Sequence, residues 1–504
     1  MLKNIGSNWA LNGLQLLVFL VLARFIVLEL GLGPRGVWGA LIAALGPLQL
    51  LVLGVPMATV RFVSGHVAKG ELETANRVLA TCTAVMVLMG VTAIGLSGAG
   101  YFGFDALLAN PEWALEPAAR HDARVAYALM ALQVATGFVL TLPYAVFAAY
   151  QDFVVRNLVM AGGLLLRLVL TIALLRASAT LTMLATVQLI VAAAEFVGAA
   201  LLSRRRHRGV SLSLRGLDLS LLKPIFSFSV FAMLLNIGAL LAFRLDALVI
   251  GAFMDQVAVG IYEYGNLVFE PFLNIVLAIG MVVMPMATTL EAQGRAAELV
   301  PILRKWTKVA SCIVFLVGLW LIVVGPAFLA WYLEHEYHSE MGTVLQVLAV
   351  SFLAFLPVRG VALPLLMGMG RQVRPALALL VMGVMNLGLS IALVRDHGLF
   401  GVALGTAIPN ILFAVYVFRV AAGSIGGSTL ALAWGAFFQP LFGAGIAAGA
   451  LAALDHFHPI AGFFPLLVSG LFYVALFGVI QVLYVWRRDP DFDFAARLRA
   501  RFSR

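Results

Sequence analysis

Four arginines lie inside long apolar stretches of this 504-residue sequence, namely Arg24, Arg167, Arg244 and Arg359. An ionisable group in hydrocarbon costs roughly 2.5–3.5 kcal/mol on insertion scales, so each should face the protein interior or water. Guanidinium is permanently charged, and its planar fork binds phosphate through paired hydrogen bonds. These residues therefore predict a cationic substrate-binding site, which suits a diphosphate headgroup and does not suit a hydrophobic drug cation.

Acidic residues in or beside the same stretches leave two other interpretations open. They are Asp246, Glu270, Glu263, Glu195 and Glu29. Each arginine can be neutralised by a neighbouring carboxylate that holds helices together, although Arg244 and Asp246, two apart on a helix, would not face each other. Alternatively, Asp246 and Glu270 bind Na⁺ or a proton and couple the protein to an ion gradient.

Other motifs that carry chemistry are weak. Glu334-His335-Glu336-Tyr337-His338 lacks the His-Glu-x-x-His spacing of metalloproteases, and no phosphate-cradling Gly-x-x-x-x-Gly-Lys-Ser/Thr loop is present. The two cysteines, Cys82 and Cys312, both fall in apolar stretches, which leaves no disulfide framework. We therefore expect no metal, no cofactor and no catalytic residues.

The elements that must position these charges are membrane-spanning helices. Hydrophobic residues make up 62% of the chain and charged residues only 11%, against about 25% charged in soluble proteins. A spanning helix needs roughly 20 apolar residues, and the sequence contains about fourteen such stretches. The loops that remain are too short for a folded soluble domain. The predicted fold class is an all-α polytopic membrane protein.

The distribution of basic residues predicts the orientation. The net charge of +9 would suit nucleic acid, but 24 of the 33 basic residues fall on the side of the N-terminus and five on the opposite side, the other four being the arginines within spans. This asymmetry follows the positive-inside rule for a protein with both termini in the cytoplasm. We therefore expect no nucleic-acid partner, and a first span that is retained rather than cleaved.

Short matches recur in the same order along the two halves of the chain. There are five such matching pairs of segments. Two of them are Pro56-Met57-Ala58-Thr59 with Pro285-Met286-Ala287-Thr288, and Gly36-Val37-Trp38 with Gly260-Ile261-Tyr262. A shift by six spans keeps corresponding helices in the same direction, so the repeat is parallel. Arg24 and Arg244 then occupy equivalent helices. The sequence predicts two six-helix lobes plus a terminal helix pair, with a substrate between the lobes and alternating access by rocking.

The predicted organisation has five parts. They are an N-terminal six-helix lobe (1–203), a basic cytoplasmic linker (204–223), a C-terminal six-helix lobe (224–421), an additional helix pair (422–486) and a basic cytoplasmic tail (487–504). Prolines interrupt several spans and mark candidate hinges, namely Pro143, Pro271, Pro357, Pro364 and Pro409. In the tail, Phe494, Leu498 and Phe502 are spaced as in a short interfacial helix.

This topology resembles that of the oligosaccharide-lipid flippases of bacterial polysaccharide assembly, in the multidrug/oligosaccharidyl-lipid/polysaccharide exporter superfamily. The most similar stretches are Phe-Ser-Phe-Ser at 226–229, Arg-Leu-Asp-Ala-Leu-Val-Ile-Gly at 244–251 and Val-Gly-Ile-Tyr at 259–262. The resemblance implies translocation of an undecaprenyl-diphosphate-linked oligosaccharide across the bacterial inner membrane through a cavity with basic residues. Expected partners are this polyprenyl-diphosphate-linked oligosaccharide, the lipid bilayer, Na⁺ or H⁺, and the polysaccharide polymerase and chain-length proteins.

Two alternatives stay open. A cation-coupled drug or metabolite exporter of the same superfamily would share the fold, although its multidrug branch usually has twelve spans. A membrane-embedded polysaccharide polymerase or ligase would carry a long outer loop with catalytic basic residues. The longest outer loop, near 98–124, instead mixes acidic residues with Arg120 and Arg124, which disfavours an enzyme.

Overall fold

A computed structural model describes residues 2–52, 54–210, 212–223 and 237–486. Every regular element in these ranges is helical, and twelve of the helical stretches are long and apolar enough to cross a membrane. One of them, Val373–Ser424, is interrupted at Gly398, whose backbone is left-handed (φ 55°, ψ −138°), and so contains two spans. The predicted seventh span, 226–252, lies partly outside the described residues. The prediction of an all-α membrane protein with about fourteen spans is confirmed.

The first of two compact units comprises Met1–Leu240 and Ile250–Gly260. Its long helices follow one another with short turns between them: α1 (Leu2–Leu30), α2 (Leu32–Leu45), α3 (Val55–Ala68), α4 (Leu72–Leu108), α5 (Pro117–Ala149), α6 (Phe153–Ala177) and α7 (Leu181–Arg206). The 3₁₀ segment Gly46–Val52 joins α2 to α3, so the two together form the second span. Pro56 and Pro117 stand in the first turns of α3 and α5, where a missing backbone N–H costs nothing.

Close packing within this unit depends on small residues. Helix α5 packs between α4 and α7, and α1 packs along α6. A Cβ on Gly90 of α4 would lie 2.7 Å from the Ala135 carbonyl oxygen of α5, so glycine allows the backbones to approach. The segment after α7 is held against α4, because Asn76 Nδ2 donates to the Gly209 carbonyl at 2.8 Å and the Asp218 N–H donates to the Thr81 hydroxyl at 3.1 Å.

The second unit comprises Leu241–Val249 and Ile261–Arg504. The remaining helices are α8 (Asp246–Phe253), α9 (Gln256–Gly265), α10 (Phe269–Ala292), α11 (Leu299–Leu333), α12 (Ser339–Pro357), α13 (Leu363–Gly368), α14 (Val373–Ser424), α15 (Thr429–Ala433), α16 (Gln439–Phe457) and α17 (Phe463–Ile480). In the described part of this unit, three π-helical segments interrupt the α-helical pattern, at Val358–Ala362, Trp434–Phe438 and Gln481–Trp486.

The additional helix pair, α16 and α17, packs on α11 of the second unit. The Tyr473 hydroxyl of α17 donates to the Phe315 carbonyl of α11 at 3.1 Å, and Gln481 Nε2 donates to the Pro440 carbonyl at 2.8 Å. The predicted residue boundaries of the lobes, linker and pair stay a prediction, and the predicted tail, 487–504, lies outside the described residues.

Candidate functional site

A buried carboxylate, that of Asp246, forms the centre of a polar cluster in the second unit. Its Oδ2 accepts hydrogen bonds from the Tyr262 hydroxyl at 2.8 Å and the Thr406 hydroxyl at 3.0 Å. Asn386 Nδ2 donates to Thr406 Oγ1 at 2.8 Å and to the Ala242 carbonyl at 3.1 Å. The four polar side chains belong to residues that are each at most 5% exposed. The two hydroxyl donors on one carboxylate oxygen offset part of the cost of burying the charge.

Nothing cationic neutralises Asp246 within the described part of the chain. Arg244, two residues earlier, forms its ion pair with Glu270 instead. A buried carboxylate without a cation is costly, so it tends to take up a proton or a metal ion. Asn386 Oδ1 is also buried and has no hydrogen-bond partner among the described residues. Carboxylate, amide and hydroxyl oxygens are ligands that hard cations prefer, so the cluster can hold a proton or a small cation such as Na⁺.

Two breaks in helices position this cluster. Residues 237–243 are helical, 244–245 form a turn, and α8 begins at Asp246, so the carboxylate lies in the first turn of a helix, where the partial positive charge favours it. The break at Gly398 folds α14 back on itself and brings Asn386 from one half against Thr406 from the other. Discontinuous helices are a common way for transporters to build ion sites at membrane depth.

Glycine permits the close approach of the two halves of α14. A Cβ on Gly405 would lie within 3.0 Å of the backbone of Ser390 and closer still to its hydroxyl oxygen. Since Gly405 precedes Thr406, a larger residue at position 405 would disturb the hydrogen bond between Asn386 and the Thr406 hydroxyl.

The Arg244–Glu270 pair lies at the same helix break and is open to its surroundings. Arg244 Nη2 is 3.3 Å from Glu270 Oε1, with side chains 51% and 63% exposed. A pair this exposed within a span must face a water-filled space rather than lipid. Exposed ion pairs contribute little to stability, so the guanidinium can exchange its carboxylate for an anionic ligand.

Arg359 lies on the π-helical segment Val358–Ala362 between α12 and α13. Its side chain is half-buried and makes no hydrogen bond or ion pair with any residue that the structure describes. A Cβ on the adjacent Gly360 would collide with Val276, so α10 packs closely against this segment. Single-turn π-bulges inside helices are frequent at functional sites, and this one presents an unneutralised guanidinium.

The other two predicted arginines belong to the first unit. Arg24 is half-buried on α1. Arg167 is half-buried on α6, and its Nε has no hydrogen-bond partner among the described residues. Glu195 of α7 instead accepts a hydrogen bond from the Tyr144 hydroxyl at 3.0 Å and lies directly against Gly163. Arg167 is thus close enough to feel the Glu195 charge without forming an ion pair with it.

The structure therefore divides the predicted site residues into different roles. Arg244 forms an ion pair with Glu270, as one of the open interpretations of the sequence predicts. Neither residue forms an ion pair with Asp246. Sequence reasoning did not find Asn386 and Thr406, and it noticed Tyr262 only as a marker of the repeat. Asn386 and Thr406 are polar residues in apolar spans, a signal that was present but common to many serines, threonines and asparagines here.

Comparison with known proteins gives the family. Residues 2–291 match the family described as polysaccharide biosynthesis protein. The chain belongs to this family. The resemblance drawn from the sequence is confirmed at the level of the polysaccharide biosynthesis family and of its superfamily fold. No curated protein matches the sequence significantly.

Solved structures of membrane transporters share the fold of this polysaccharide biosynthesis family member. The lipid II flippase MurJ in an inward closed conformation superposes with a TM-score of 0.69 at 13% identity, covering 96% of this chain and 99% of that one. An inward-facing multidrug resistance MATE family transporter gives 0.69 at 19% identity, covering 81% and 94%. The Vibrio cholerae MATE transporter VcmN in the bent form gives 0.56 at 17% identity, covering 84% and 96%. These similarities show that the chain shares this fold, and its twelve apolar helical stretches in the described residues identify a multi-pass membrane protein.

Proposed function

We propose that this protein translocates an undecaprenyl-diphosphate-linked oligosaccharide from the cytoplasmic to the periplasmic leaflet of the bacterial inner membrane. Translocation proceeds by alternating access of the two lobes, with both termini in the cytoplasm. The cargo crosses without chemical change, so no cofactor and no catalytic residue take part. A polysaccharide polymerase and chain-length proteins act on the delivered oligosaccharide.

Membership of the polysaccharide biosynthesis family carries the proposal. It favours a sugar-bearing cargo over the drug cations of the multidrug branch. The lipid II flippase with the same fold is a precedent for a lipid cargo in this architecture. The sequence also predicts about fourteen spans rather than the usual twelve of the multidrug branch, and α16 and α17 correspond to the predicted additional helix pair.

The arginines within spans supply the recognition of the diphosphate. Arg359, which has no partner among the described residues, and Arg244, whose partner Glu270 is exposed, offer guanidinium groups that a diphosphate can engage through paired hydrogen bonds. Arg24, on the helix equivalent to that of Arg244, and Arg167 are the candidates of the first unit.

Asp246 supplies the coupling to an ion gradient. The cluster of Asp246, Tyr262, Asn386 and Thr406 binds Na⁺ or a proton, and the charge state of Asp246 then differs between the two orientations of the transport cycle. A ligand shifts a conformational equilibrium only through different affinities for the two states. A buried carboxylate at a helix break meets this requirement, because a small rotation of α8 changes its oxygen neighbours.

A cation-coupled exporter is the second candidate, because a multidrug resistance transporter superposes as well as the lipid II flippase does. The two candidates differ in the charge of the cargo. An exporter of cationic drugs needs an anionic binding surface for its cargo. Arg359 and Arg167 instead present positive charge without an acidic ion-pair partner among the described residues.

Reconstituted vesicles test the proposal. A fluorescently labelled undecaprenyl-diphosphate-linked oligosaccharide is placed in one leaflet, and its arrival in the other is measured with a membrane-impermeant quencher. We expect Arg359→Ala to lower the initial rate by about tenfold or more, since one charge-assisted bidentate contact is lost. Arg359→Lys should recover part of the rate because it keeps the charge without the planar fork.

Arg204→Ala, which removes an exposed arginine at the end of α7, is the matched control and should keep the wild-type rate. Arg24→Ala and Arg244→Ala are measured in parallel. Wild-type rates in all three span variants would contradict the arginine site. Transport of a lipophilic ammonium dye without transport of the lipid-linked oligosaccharide would favour the exporter instead.

A further inference from the structure

A basic recess of about 520 Å³ opens where the two ends of α14 meet. The first turn of α14 contributes Arg374, its last turns contribute Tyr416 and Arg419, and Arg371 lies just before the helix begins. In the predicted topology these residues fall at the end of their spans that lies on the side of the N-terminus, together with 24 of the 33 basic residues of the sequence. By the positive-inside rule this is the cytoplasmic end.

Two of the three arginines in the recess are not neutralised. Arg371 Nη1 donates to the Ser424 carbonyl at 2.8 Å and its Nη2 lies 3.4 Å from Glu291, so Arg371 ties the two ends of α14 together. Arg374 and Arg419 are exposed and form no ion pair with any residue in the described ranges. Arg374 also stands at a helix N-terminus, where the helix dipole disfavours a cation. Its position therefore does not stabilise α14, and an anion bound there would relieve the repulsion.

An apolar groove of about 340 Å³ continues from the recess between the two halves of α14. It shares Arg374 and Tyr416 with the recess and is lined further along by Leu377, Val381 and Met385 on one side and Leu412 on the other. Leu377, Val381 and Leu412 are each at least half exposed. From Arg374 to Met385 the helix rises about 16 Å, which is close to half of the roughly 30 Å hydrocarbon thickness. The groove thus has the depth of a single leaflet.

We propose that the recess and groove together form a binding site for an anionic glycerophospholipid of the cytoplasmic leaflet. The phosphate engages Arg374 and Arg419 beside the Tyr416 hydroxyl, and one acyl chain follows the groove along Leu377 and Val381. Basic pockets between membrane helices at the cytoplasmic surface bind anionic headgroups in this way. A polyprenyl chain is longer than one leaflet and does not match the groove, and a lipophilic cation does not match the charge. The site is independent of the transported cargo.

Native mass spectrometry of the full-length protein in detergent tests this site. Phosphatidylglycerol is titrated against phosphatidylcholine with the same acyl chains. We expect phosphatidylglycerol to stay bound at concentrations where phosphatidylcholine does not. The double variant Arg374→Gln/Arg419→Gln should weaken phosphatidylglycerol binding by about tenfold or more, since each arginine near an anionic headgroup contributes on the order of a kcal/mol.

The matched control is Arg204→Gln/Arg205→Gln, which removes two exposed arginines of α7 that the predicted topology also places in the cytoplasm. It should leave phosphatidylglycerol binding within about twofold of the wild type. Ala378→Phe places a ring in the groove, of which Ala378 is a wall residue. It should weaken binding of long-chain phosphatidylglycerol and leave binding of a dibutyryl analogue unchanged, because only the longer chain needs the groove. The arginine variants change exposed side chains, so they decide the question even where Ala378→Phe does not fold.

Three results would overturn the proposal. Equal losses in the two arginine pairs would mean that the charges act only through the general surface potential. Equal affinity for the long-chain and dibutyryl lipids would mean a phosphate site without a role for the groove. Displacement of phosphatidylglycerol by stoichiometric undecaprenyl diphosphate would assign the site to the cargo.

Discussion

Asp246 and Glu270 are both acidic residues of the second unit, but their surroundings differ in a way that predicts different roles. Asp246 is 5% exposed and accepts two hydroxyl hydrogen bonds, whereas the Glu270 side chain is 63% exposed and paired with Arg244. Of these two carboxylates only that of Asp246 bears the desolvation cost of a buried charge. We therefore expect ion binding to depend on Asp246 rather than on Glu270. A sequence without distances cannot separate the two, because each is one carboxylate within an apolar stretch.

Asp246→Asn should therefore abolish the dependence of transport on the Na⁺ or proton gradient, while Glu270→Gln should retain it. The asparagine keeps the shape and can still accept from Tyr262, so the fold should survive. If Na⁺ is the ion, it should raise the thermal midpoint of the wild type and of Glu270→Gln but not that of Asp246→Asn, since a ligand stabilises only the state that binds it. The reverse pattern, with Glu270→Gln insensitive to the ion, would place the site at Glu270.

His207 gives a prediction for pH, because it lies just after α7, outside the spans. Its ring stacks on Tyr150 with centroids 4.0 Å apart, and its Nε2 is 3.6 Å from Asp152 Oδ2. Burial lowers the pKa of His207 below its usual 6.5; the Asp152 carboxylate opposes this shift and Arg206 adds to it. The unfolded chain then binds a proton at higher pH than the folded protein does. Stability should be constant above about pH 7 and should fall as the pH drops below 6.5.

His207→Phe should remove this fall while preserving the stacking on Tyr150, as measured by thermal unfolding in detergent at pH 7.5 and 5.5. Asp152→Asn should deepen the fall, because the carboxylate that favours the protonated ring is gone. A wild-type loss of stability equal to that of His207→Phe would show that other groups titrate in this window.

At the scale of elements, the close packing of the two halves of α14 depends on one glycine, Gly405. Gly405 lies so close to Ser390 that a Cβ must displace backbone. Gly405→Ala should destabilise the protein by about 1–3 kcal/mol, as overpacking does in well-packed cores. It should also weaken ion binding, because Thr406 follows directly. Gly388→Ala in the same helix, where a Cβ meets nothing within 4 Å, should leave stability unchanged or raise it by up to about 1 kcal/mol.

Thermal unfolding and ion titration of the two variants check this prediction. Equal stability of Gly405→Ala and Gly388→Ala would show that the halves of α14 separate easily and that the cluster is not held rigidly.

Hydropathy predicts the spans of this chain well but does not predict their interruptions. The sequence separates the spans on either side of Gly398, because His397 and its neighbours interrupt an apolar run. The turn at 244–245 and the π-helical segment around Arg359 leave no such trace, since a window of about twenty residues averages over a single turn. The sequence shows the charges of Arg244 and Arg359. It does not show that both lie at irregular backbone, because that irregularity follows from tertiary packing, such as that of Gly360 against Val276.

At the scale of the whole molecule, the repeat and the charge asymmetry are properties of the entire chain, which explains why they were visible in the sequence. Five matched pairs and a 24-to-5 distribution of basic residues do not depend on any one contact. The cluster of Asp246, Tyr262, Asn386 and Thr406 joins residues up to 160 positions apart. No local pattern encodes that proximity, so the fold class was predictable and the polar cluster was not.

The orientation in the membrane is a prediction of the same kind, and the chain offers a clean way to test it. Its two cysteines are both buried, so an engineered cysteine at an exposed position provides the accessible thiol. Glu112→Cys lies between α4 and α5, and Arg215→Cys lies between α7 and α8; both native residues are exposed. With cytoplasmic termini, a membrane-impermeant maleimide should label Glu112→Cys in spheroplasts and Arg215→Cys only after lysis. The wild type is the unlabelled control. Labelling of Arg215→Cys before lysis would reverse the orientation, place the recess of Arg374 and Arg419 on the outer surface, and contradict the positive-inside assignment.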